Sequence, residues 1–571
     1  MKLTPITAPQ KAPTFAVIDI ETMNWTKFIV LGFYDGETYL EFRTLKKFFE
    51  FLATNKTPET IVAHFGGKFD FLFLIEEILK SESNKILSVV PRGSSILYFS
   101  THISGREFTF RDSSALLPFS LKSITENFGV ETKKGDWDHT KTRGYSRGLS
   151  EYLKADCLGL YQSLQKLFSW PLIEKAGPAW TMAGQATRVL RTYLEKDIFG
   201  LGKFESSFCR KAYLGGRVEI FRPIATQQIY EYDFNSIYPQ VMRDEFYPSG
   251  ASFFTFDFDR KKLGIYHARV TAPKCFLPVL GVLRDGKFIF PNGTFEGHWT
   301  SSELLYAESV GYKFEIKSGI VFRNRDRIFE SFINDLYSIR LTSPKKSVSE
   351  ILAKLLMNSS YGRFGMDLNK ENIGFELKEG AEDYATLQIG DRKVQLFKEP
   401  IELKSFTHVA IAAFVTSYAR IKLHKAMLPI QDQIYYCDTD SIWTTAELPT
   451  GTALGELKLE ETYENGAVFL LPKTYFASGG AKSKKIAMKG FSNRKIQDFT
   501  LEDFKAALEG DLHKFKIVNE PKFATLKTAL AQKKIVTMTK QSEKQLKSQY
   551  NKRRIVKSLG KFSSEPIELK E

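Results

Sequence analysis

The chain has 571 residues, of which 43% are hydrophobic and 14% aromatic, and its formal net charge is +15. This composition provides for several packed cores and excludes global disorder. No apolar run approaches the ~20 residues that a membrane-spanning helix needs. The four cysteines are scattered without a C-x-x-C pair, which argues against a zinc site or a disulfide framework. Together with an N-terminus that has no signal-peptide pattern, this favours the cytoplasm.

The excess of positive charge is concentrated near the C-terminus. Residues 522–561 contain twelve Lys or Arg and a single acid, Glu543. An isolated charge run is usually a solvated helix face, but here apolar residues interleave with the basic ones in "KKIVTMTKQSEKQLKSQYNKRRIVK". The segment is therefore predicted to be folded structure with a basic surface, for which a polyanion is the natural partner.

The first 170 residues alternate strand-like and helix-like patterns. The helical segments have apolar residues at spacings of three and four, and the first of them follows the turn Gly66–Gly67. Strands are predicted over 15–22, 94–100 and 106–113, and helices over 68–80 and 149–168. The pattern breaks at "WPLIEKAGPAW", so a domain boundary is placed near residue 175.

A second block begins after this boundary. Residues 227–242 read as a strand, a turn and the start of a helix. Residues 244–330 are rich in turns and short strands, with four prolines, and are predicted to be a separate α+β insertion. Residues 369–403 return to short alternating strands around "GDRKVQLF" and are predicted to be a second insertion.

Residues 331–363 are predicted to form two helices broken at "TSPKK". Serine is a favourable residue for a helix N-cap, and proline suits the first helical position. The sequence therefore predicts that Ser343 caps the second helix, with Pro344 in its first turn.

Several acids of the first block fall into a pattern. Strand periodicity places Asp19 and Glu21 on one face, and Asp70 follows in "KFDF". Tyr152 and Asp156 share a helical face because they are four residues apart. Any one of these acids alone is more often a surface carboxylate. As a set, they can hold two divalent metals ~3.5–4 Å apart, the arrangement that hydrolyses phosphodiesters.

The segment "QIYYCDTDSIWTT" places Asp438 and Asp440 at the crest of a predicted hairpin. Solvated turn aspartates are the simple interpretation, since Asp is common in turns. The alternative is that a positive partner, such as a metal ion, belongs there.

Two other segments offer partners for the hairpin acids. "YDFNSIYP" places Asp233 at the end of a strand, and the amide N–H groups of the following turn can meet a triphosphate. "KLLMNSSYG" places Lys354, Asn358 and Tyr361 on one helical face. Lysine offers a charge for phosphate, and tyrosine offers a flat surface for a base pair.

The order of the acids in the first block resembles the three exonuclease motifs of family B DNA polymerases. The resemblance implies an RNase H-like 3′–5′ exonuclease domain in which Tyr152 orients the attacking water. Its metal ligands would be Asp19, Glu21, Asp70 and Asp156.

Two further strings belong to the same resemblance. "SLKSI" resembles the motif that contacts single-stranded primer ends through Ser120, Leu121 and Lys122, and Lys134 in "KKGDWDH" resembles the lysine of the exonuclease site. One departure stands out: Phe65 or Gly66 occupies the place of an asparagine that contacts the primer terminus. The metal ligands are present, so an active exonuclease with an altered grip on single strands is expected.

The second block resembles motifs A, B and C of family B DNA polymerases, which implies nucleotidyl transfer with two Mg²⁺ ions, for which Mn²⁺ can substitute. Asp233 and Asp440 would hold the metals, and Asp438 would be a supporting acid. Tyr238 would exclude ribonucleotides by filling the space of a 2′-OH. The remaining residues implied to contact the incoming nucleotide are Arg340, Lys354, Asn358 and Tyr361.

Three smaller strings match DNA-contacting motifs of the family: "YLGG", "TSYAR" and "KTY". Glycines in the first let DNA approach the backbone. The residues implied to contact DNA are Tyr213, Gly215, Gly216, Thr416, Arg420, Lys473 and Tyr475.

The positions of the two insertions resemble the protein-primed family B polymerases of phi-29-type phages. The implied fold is an α/β and α+β multidomain protein in which the exonuclease precedes a right-hand polymerase. The implied domains are an exonuclease at 1–175, a palm at 176–243 and 404–505, a terminal-protein-binding insertion at 244–330, fingers at 331–368, a strand-displacement insertion at 369–403 and a thumb at 506–571.

The resemblance implies a monomer that acts on primer-template DNA and dNTPs, with a terminal protein as primer and no membrane partner, in the bacterial host of a phage or linear plasmid. Two alternatives stay open. A conventionally primed or primer-independent family B polymerase shares the same motifs, and a DNA-binding nuclease would leave the second block without a role. A non-catalytic scaffold is disfavoured, because it would lack metal ligands and none is missing here.

Overall fold

The computed structural model describes residues 1–8, 10–81, 83–375, 379–389, 392–402, 405–491, 496–546, 550, 552–558 and 561–570. Its α-helices are Leu45–Thr54, Asp70–Lys80, Leu121–Asn127, Arg147–Phe168, Pro171–Ala176, Met182–Arg191, Lys203–Arg210, Ile237–Asp244, Ser301–Ser309, Glu330–Thr342, Val348–Phe364, Val409–Met427, Leu501–Leu508 and Leu526–Ala531. Among the described residues, no helix combines the length and apolarity needed to cross a membrane. All four cysteines are free thiols.

A ten-stranded mixed sheet organises the N-terminal region. Its strands, in spatial order, are Glu382–Ile389, Arg392–Glu402, Asn369–Gly374, Lys85–Arg92, Ser95–Ile103, Arg106–Asp112, Thr60–Ala63, Ala16–Met23, Lys27–Tyr34 and Tyr39–Phe42. The strands and helices predicted in the first 170 residues are confirmed within a few residues. Ala16–Met23 lies parallel to Thr60–Ala63, and helix Arg147–Phe168 packs on it. The alternating strand and helix pattern therefore built a layered α/β domain.

The second predicted insertion contributes the first three strands of this sheet. The pair Ile373↔Val89 joins its strands to those of the N-terminal region. The predicted short strands are therefore present, but they extend a neighbouring sheet. Gly390 and Asp391 of "GDRKVQLF" lie outside the described residues.

A five-stranded sheet lies at the centre of the second block. Its strands, in spatial order, are Val218–Ile220, Ile434–Asp438, Ser441–Thr444, Ile229–Phe234 and Leu457–Tyr463. Helix Val409–Met427 is almost continuously buried, including Phe414 at 0% exposure, and packs against helix Ile237–Asp244, which follows strand Ile229–Phe234 of this sheet. This sheet carries the predicted hairpin and the predicted strand of "YDFNSIYP".

The first predicted insertion forms its own sheet and its own core around Tyr266 and Trp299. The sheet order is Tyr247–Thr255, Lys313–Asp326, Gly264–Ala272, Asn292–Thr300 and Glu568–Lys570, and a small hairpin pairs Val282–Arg284 with Lys287–Ile289. The last strand comes from the C-terminus and runs parallel to Asn292–Thr300. The C-terminal residues therefore pack on the insertion rather than on the rest of the predicted thumb.

The two predicted helices of residues 331–363 are present as Glu330–Thr342 and Val348–Phe364, but the predicted cap is wrong. Ser343 ends the first helix with φ −86° and ψ 143°, the extended conformation favoured before a proline. Ser347 caps the second helix and accepts from the Glu350 amide at 3.3 Å. The S-x-x-E spacing of this pair was the better signal.

Most of the remaining strands belong to the C-terminal region. A four-stranded sheet is ordered Ile224–Ala225, Ala467–Leu471, Thr474–Ser478 and Lys484–Met488; two hairpins pair Lys516–Asn519 with Ser542–Gln545 and Arg553–Ser558 with Lys561–Pro566; and Lys2–Leu3 pairs with Ile198–Phe199. Residues 547–549, 551, 559 and 560 of the predicted basic segment lie outside the described residues.

One hydrophobic cluster joins three regions that are distant in sequence. Leu526 and Leu530 come from the C-terminal helix, Leu387 and Leu396 from the second insertion, and Ile75 from the N-terminal helix. Burial of such side chains contributes about 1.5–3 kcal/mol each. The C-terminal region therefore touches the second insertion and the N-terminal domain together, while the domain boundaries themselves stay predictions.

Candidate active sites

The first site is built at the crest of the hairpin Ile434–Asp438/Ser441–Thr444. Thr439 lies between the two aspartates with φ +65°, a conformation that side-chain-bearing residues seldom adopt. The Asp440 amide donates to the Asp438 carbonyl at 2.7 Å, and the Thr439 amide donates to the Arg217 carbonyl at 2.8 Å. The turn is therefore fixed from the neighbouring strand, and both carboxylates are held at one edge of the sheet.

Asp233 joins these acids from the next strand. It pairs in register with Ser441, and the Phe234 amide donates to the Asp440 carbonyl at 2.9 Å. Asp233, Asp438 and Asp440 line one open pocket of about 410 Å³. The structure therefore brings the acids of the predicted motifs A and C together.

The electrostatic environment separates these three acids. Burial, and then the charge of Asp440, raise the pKa of Asp233 to about 7. Burial, and then the charge of Asp438, raise the pKa of Asp440. Asp233 Oδ1 is buried without a hydrogen-bond partner among the described residues. Burial is the main cause of both shifts, and the like charge of a neighbouring acid adds to it.

Asp438 is already neutralised within the protein. Its carboxylate accepts from Lys473 Nζ at 2.9 Å, from the Tyr436 hydroxyl at 3.0 Å and from the Thr439 hydroxyl at 3.2 Å. Tyr475 packs beside Tyr436, with ring centroids 5.8 Å apart. The predicted DNA contacts Lys473 and Tyr475 thus both lie at this site.

Two of the predicted nucleotide contacts, Tyr238 and Tyr361, lie within electrostatic reach of Asp440. Tyr238 and Tyr361 stack at 5.1 Å, and burial raises the pKa of Tyr238 to about 12. Lys354 and Asn358 are exposed on the same face as Tyr361. Arg340 donates to the Ser236 hydroxyl at 2.9 Å, next to the turn after Asp233.

The residues of "YLGG" and "TSYAR" lie behind the hairpin. A side chain at Gly216 would meet Thr439 Cγ2 at 2.7 Å, so only glycine allows this close approach. Arg420 is 6% exposed and donates to the Leu214 carbonyl at 2.7 Å and to the Glu303 carboxylate at 2.7 Å. Thr416 is also buried, and its hydroxyl donates to a carbonyl of its own helix.

Two other members of this group remain accessible: Gly215 is exposed, and Tyr213 is partly exposed. The packing of Arg420 and Thr416 gives them partners inside the protein. Contact between these residues and DNA stays a prediction.

The second site lies in the N-terminal domain. Carboxylate oxygens of Asp19, Glu21 and Asp156 lie within 4.8 Å of one another, which fits a divalent cation. Two come from strand Ala16–Met23, and the third from helix Arg147–Phe168. Asp156 Oδ1 is buried without a hydrogen-bond partner among the described residues.

Asp70 lies beside this group but has its own partner, the Ile20 amide, at 2.9 Å from its Oδ1. Burial raises the pKa of Asp70 to about 7, and burial with the charge of Asp156 raises the pKa of Asp19 well above its ordinary value. Lys134 forms an ion pair with Asp156 and lies 4.5 Å from the ring centre of Tyr152. All six predicted members of the exonuclease site are therefore neighbours.

The predicted single-strand motif begins the helix Leu121–Asn127. Ser120 is its N-cap and accepts from the Ser123 amide at 3.2 Å, while Leu121 is buried. Lys122 Nζ lies 2.9 Å from Asp136. Phe65 adopts the left-handed conformation with φ +58°, which asparagine tolerates better than phenylalanine.

Sequence reasoning missed two features of the palm site. Glu231 lines the same pocket as Asp233 and is paired with Lys485 at 2.6 Å. Its alternation with Asp233 along one strand was the available signal.

Behind the hairpin, Glu219 is fully buried between two arginines. Glu219 Oε2 lies 2.6 Å from Arg217 Nη2 and 4.0 Å from Arg553 Nη1. No local pattern marked this network, because Arg553 is more than 330 residues away in sequence.

The sequence model of the protein family described as DNA polymerase type B, organellar and viral, matches two ranges of this chain, residues 52–149 and 146–442. The chain belongs to this family of DNA polymerases. It is 29% identical over 494 residues to the DNA-directed DNA polymerase of Enterobacteria phage PRD1, covering 81% of both chains. It is 27% identical to the DNA polymerase of Bacillus phage phi29, covering 74% of this chain and 75% of that one.

The chain also matches longer relatives. The probable DNA polymerase of Ascobolus immersus is 27% identical over 528 residues, and the alignment covers 78% of this chain but 43% of that protein. The chain thus spans less than half the length of this fungal relative.

The fold resembles phi29 DNA polymerase complexed with primer-template DNA and incoming nucleotides, with a TM-score of 0.77, 19% identity and coverage of 94% of this chain and 100% of that one. The predicted fold class, an exonuclease domain followed by a right-hand polymerase, is confirmed, as is the predicted resemblance to family B polymerases.

Proposed function

We propose that the protein is a template-directed DNA polymerase that also carries a 3′–5′ proofreading exonuclease. The observation that carries this proposal is the convergence of Asp233 and Asp440 in one open pocket beside the stacked rings of Tyr238 and Tyr361. Membership of the type B polymerase family supports the same reaction.

The acids at the palm site fit divalent metal ions. Asp233 and Asp440 offer carboxylate oxygens, the ligands that Mg²⁺ prefers, and burial together with the charge of a neighbouring acid raises the pKa of each group. Two bound Mg²⁺ ions, for which Mn²⁺ substitutes, would supply activation of the primer 3′-hydroxyl and charge stabilisation for the leaving pyrophosphate.

The other residues of the palm site orient the substrates. Arg340 and Lys354 would bind the triphosphate of a dNTP, and Asn358 and Tyr361 would contact the nascent base pair. Tyr238, held by its stacking with Tyr361, would fill the space of a ribose 2′-hydroxyl. A tyrosine already packed in place excludes the extra hydroxyl without a conformational change.

The proposed exonuclease site uses the N-terminal acids. Asp19, Glu21, Asp70 and Asp156 would hold metal ions, with Tyr152 orienting water. Lys134, paired with Asp156, would stabilise negative charge on the scissile phosphate. The Ser120–Lys122 segment would contact the single strand.

We further propose that synthesis is protein-primed, processive and strand-displacing, in the replication of a linear phage or plasmid genome in a bacterial host cytoplasm. The insertion 244–330 would dock a terminal protein, and the protein would act as a monomer. The cluster of Leu526, Leu530 and Leu387 supports a ring closed by the thumb and the insertion 369–403. A closed ring resists dissociation from DNA and separates the strands ahead of it.

The test is extension of a singly primed circular single strand with Mg²⁺ and dNTPs and no other protein. Products far longer than the circle are expected. Products that stop at one circle would retain the polymerase and refute strand displacement, and absence of extension would refute the roles of Asp233 and Asp440.

A matched pair of variants tests ring closure in the same assay. Leu526→Ala removes a side chain from the joining cluster, so product length should fall several-fold while addition of the first nucleotides continues. Leu283→Ala, a change at a leucine that is 54% exposed on the first insertion, should leave product length unchanged.

The second candidate is a polymerase that extends conventional primers or needs none. Conventional and protein primers are distinguished by which molecule, nucleic acid or protein, receives the label from α-labelled dATP. A labelled protein adduct supports the terminal-protein proposal, and label confined to nucleic acid supports the alternative.

A further inference from the structure

The turn between strands Ala16–Met23 and Lys27–Tyr34 holds a tryptophan in an unfavourable backbone conformation. Asn24 has φ +52° and Trp25 has φ +65°. Asparagine tolerates the left-handed region, but a bulky residue there is an outlier that costs free energy. Trp25 is nevertheless 48% exposed, so burial in the core offers little compensation. Such strain at an exposed aromatic residue points to a functional role.

Two aromatic neighbours fix the ring of Trp25 beside the N-terminal acids. His139 lies 5.7 Å from it in a tilted stack, and Phe69 lies 6.1 Å away edge to face. His139 Nδ1 is 3.5 Å from Glu21 Oε2, and its ring is 5.9 Å from that of Tyr152. The exposed half of Trp25 is thus a flat apolar surface one side chain away from the proposed exonuclease metal site.

We propose that Trp25, supported by His139, is a stacking platform for the base at the 3′ end of single-stranded DNA. The proposal rests on the exonuclease activity proposed above. Every base has an aromatic face, so stacking binds single strands without sequence preference. A base is neutral, so it can cover Trp25 while the acids engage the phosphate through metal ions. This contact would also replace the asparagine that Phe65 displaces in the second motif.

The test is digestion of a 5′-labelled single-stranded oligonucleotide by the full chain with Mg²⁺. Trp25→Ala should raise KM by about 5- to 150-fold, the range that base–aromatic stacking gives. Because the remaining contacts still place the phosphate, kcat should change less than KM. Trp25→Phe keeps an aromatic face and should recover most of the loss. Phe256→Ala, at a phenylalanine that is 69% exposed on the first insertion, is the matched control and should have no effect.

A third variant separates binding from folding. Glycine adopts the left-handed conformation without strain, so Trp25→Gly should unfold at the same or a higher temperature than the unmodified protein. It should nevertheless show the raised KM of Trp25→Ala. A Trp25→Gly protein with an unchanged KM would overturn the proposal.

An oligonucleotide with an abasic 3′-terminal residue identifies the group that Trp25 contacts. The unmodified protein should bind the abasic end more weakly than the normal end. The Trp25→Ala variant should bind the abasic end as tightly as the unmodified protein does. Equal effects of the substitution on normal and abasic ends would refute base stacking.

If the unmodified protein digests no single strand, the proposed exonuclease function fails. In that case, the stacking role of Trp25 is tested by measuring the affinity of the protein for the normal and the abasic oligonucleotides in EDTA. There, Trp25→Ala with unchanged affinity for the normal end refutes the platform, and weaker affinity confined to the normal end supports it.

Discussion

The two carboxylate sites of this polymerase family member balance their charge in different ways. In the N-terminal site, Asp156 already has an internal cation, because Lys134 is paired with it. In the palm, Lys473 is paired with Asp438, while Asp233 and Asp440 form no ion pair among the residues that the structure describes. Glu21, Asp70 and Asp156 of the N-terminal site are also more deeply buried than the acids of the open palm pocket.

This difference shows how a protein can prepare similar residues for different tasks. Burial and repulsion raise the pKa of an acid, and a paired lysine lowers it. In the palm, the acids that no lysine pairs with among the described residues lie where the proposed metal ions and triphosphate would bind together. The N-terminal site keeps a permanent positive charge beside its acids, which suits the negatively charged phosphate of the proposed single-stranded substrate.

The largest expected effect separates the two sites by removing one acid from each. Asp440→Ala should reduce nucleotide incorporation by roughly 10³-fold or more, because a metal-stabilised charge is worth several kcal/mol in the transition state. Digestion of single strands should continue at the normal rate. Asp156→Ala should have the opposite effect.

Primer extension and digestion of the same 5′-labelled oligonucleotide measure both activities on one gel. If either substitution abolished both activities, the two sites would not be independent.

A second prediction concerns the buried network behind the palm hairpin. Among the described residues, the N-terminal site has no such network of two arginines around one buried acid. Glu219→Gln leaves Arg217 and Arg553 without their shared anion and should lower the free energy of unfolding by about 3–5 kcal/mol. Because Glu219 pairs in register with Cys437, next to Asp438, polymerisation should be lost on heating before digestion is.

The matched control is Glu565→Gln, because the ion pair of Glu565 with Arg554 is solvent-exposed. This variant should lose each activity at the same temperature as the unmodified protein. Residual activity after heating measures both variants. Simultaneous loss of the two activities in Glu219→Gln would show that the network stabilises the whole chain equally.

The smallest expected effect is a pH dependence of metal-induced stabilisation. Asp70 and Asp233 have pKa values of about 7 in the folded protein and an ordinary value of 3.8. The folded state therefore holds more protons than the unfolded chain between these values, and metal-free stability should fall as pH rises through that window. Mg²⁺ competes with those protons, so it should raise the unfolding temperature more at about pH 8 than at about pH 5.5.

Thermal unfolding with Mg²⁺ or EDTA at both pH values measures this. Asp233→Asn should reduce the difference, because it removes one of the two raised carboxyls. An equal Mg²⁺ effect at both pH values would contradict the proposed competition.

Local sequence signals sufficed for much of the fold and for the acids of both sites. Periodicity located the strand of Asp19 and Glu21 and the helix of Tyr152 and Asp156, since each pattern lies within one element. Where two local signals competed, as for the cap of Val348–Phe364, the nearer proline was misleading. Ser347 caps that helix because its S-x-x-E spacing satisfies the first turn.

The sequence by itself determined which residue types alternate, where the elements lie and which acids belong to each motif, because these depend on neighbours within a few positions. Only the tertiary structure decided that Arg553 reaches Glu219, that Arg420 is engaged inside the protein and that the second insertion extends the N-terminal sheet. It also decided that Trp25 lies beside His139. These contacts join residues that are over a hundred positions apart, and their partners are set by how complete domains pack, for which the chain carries no local pattern.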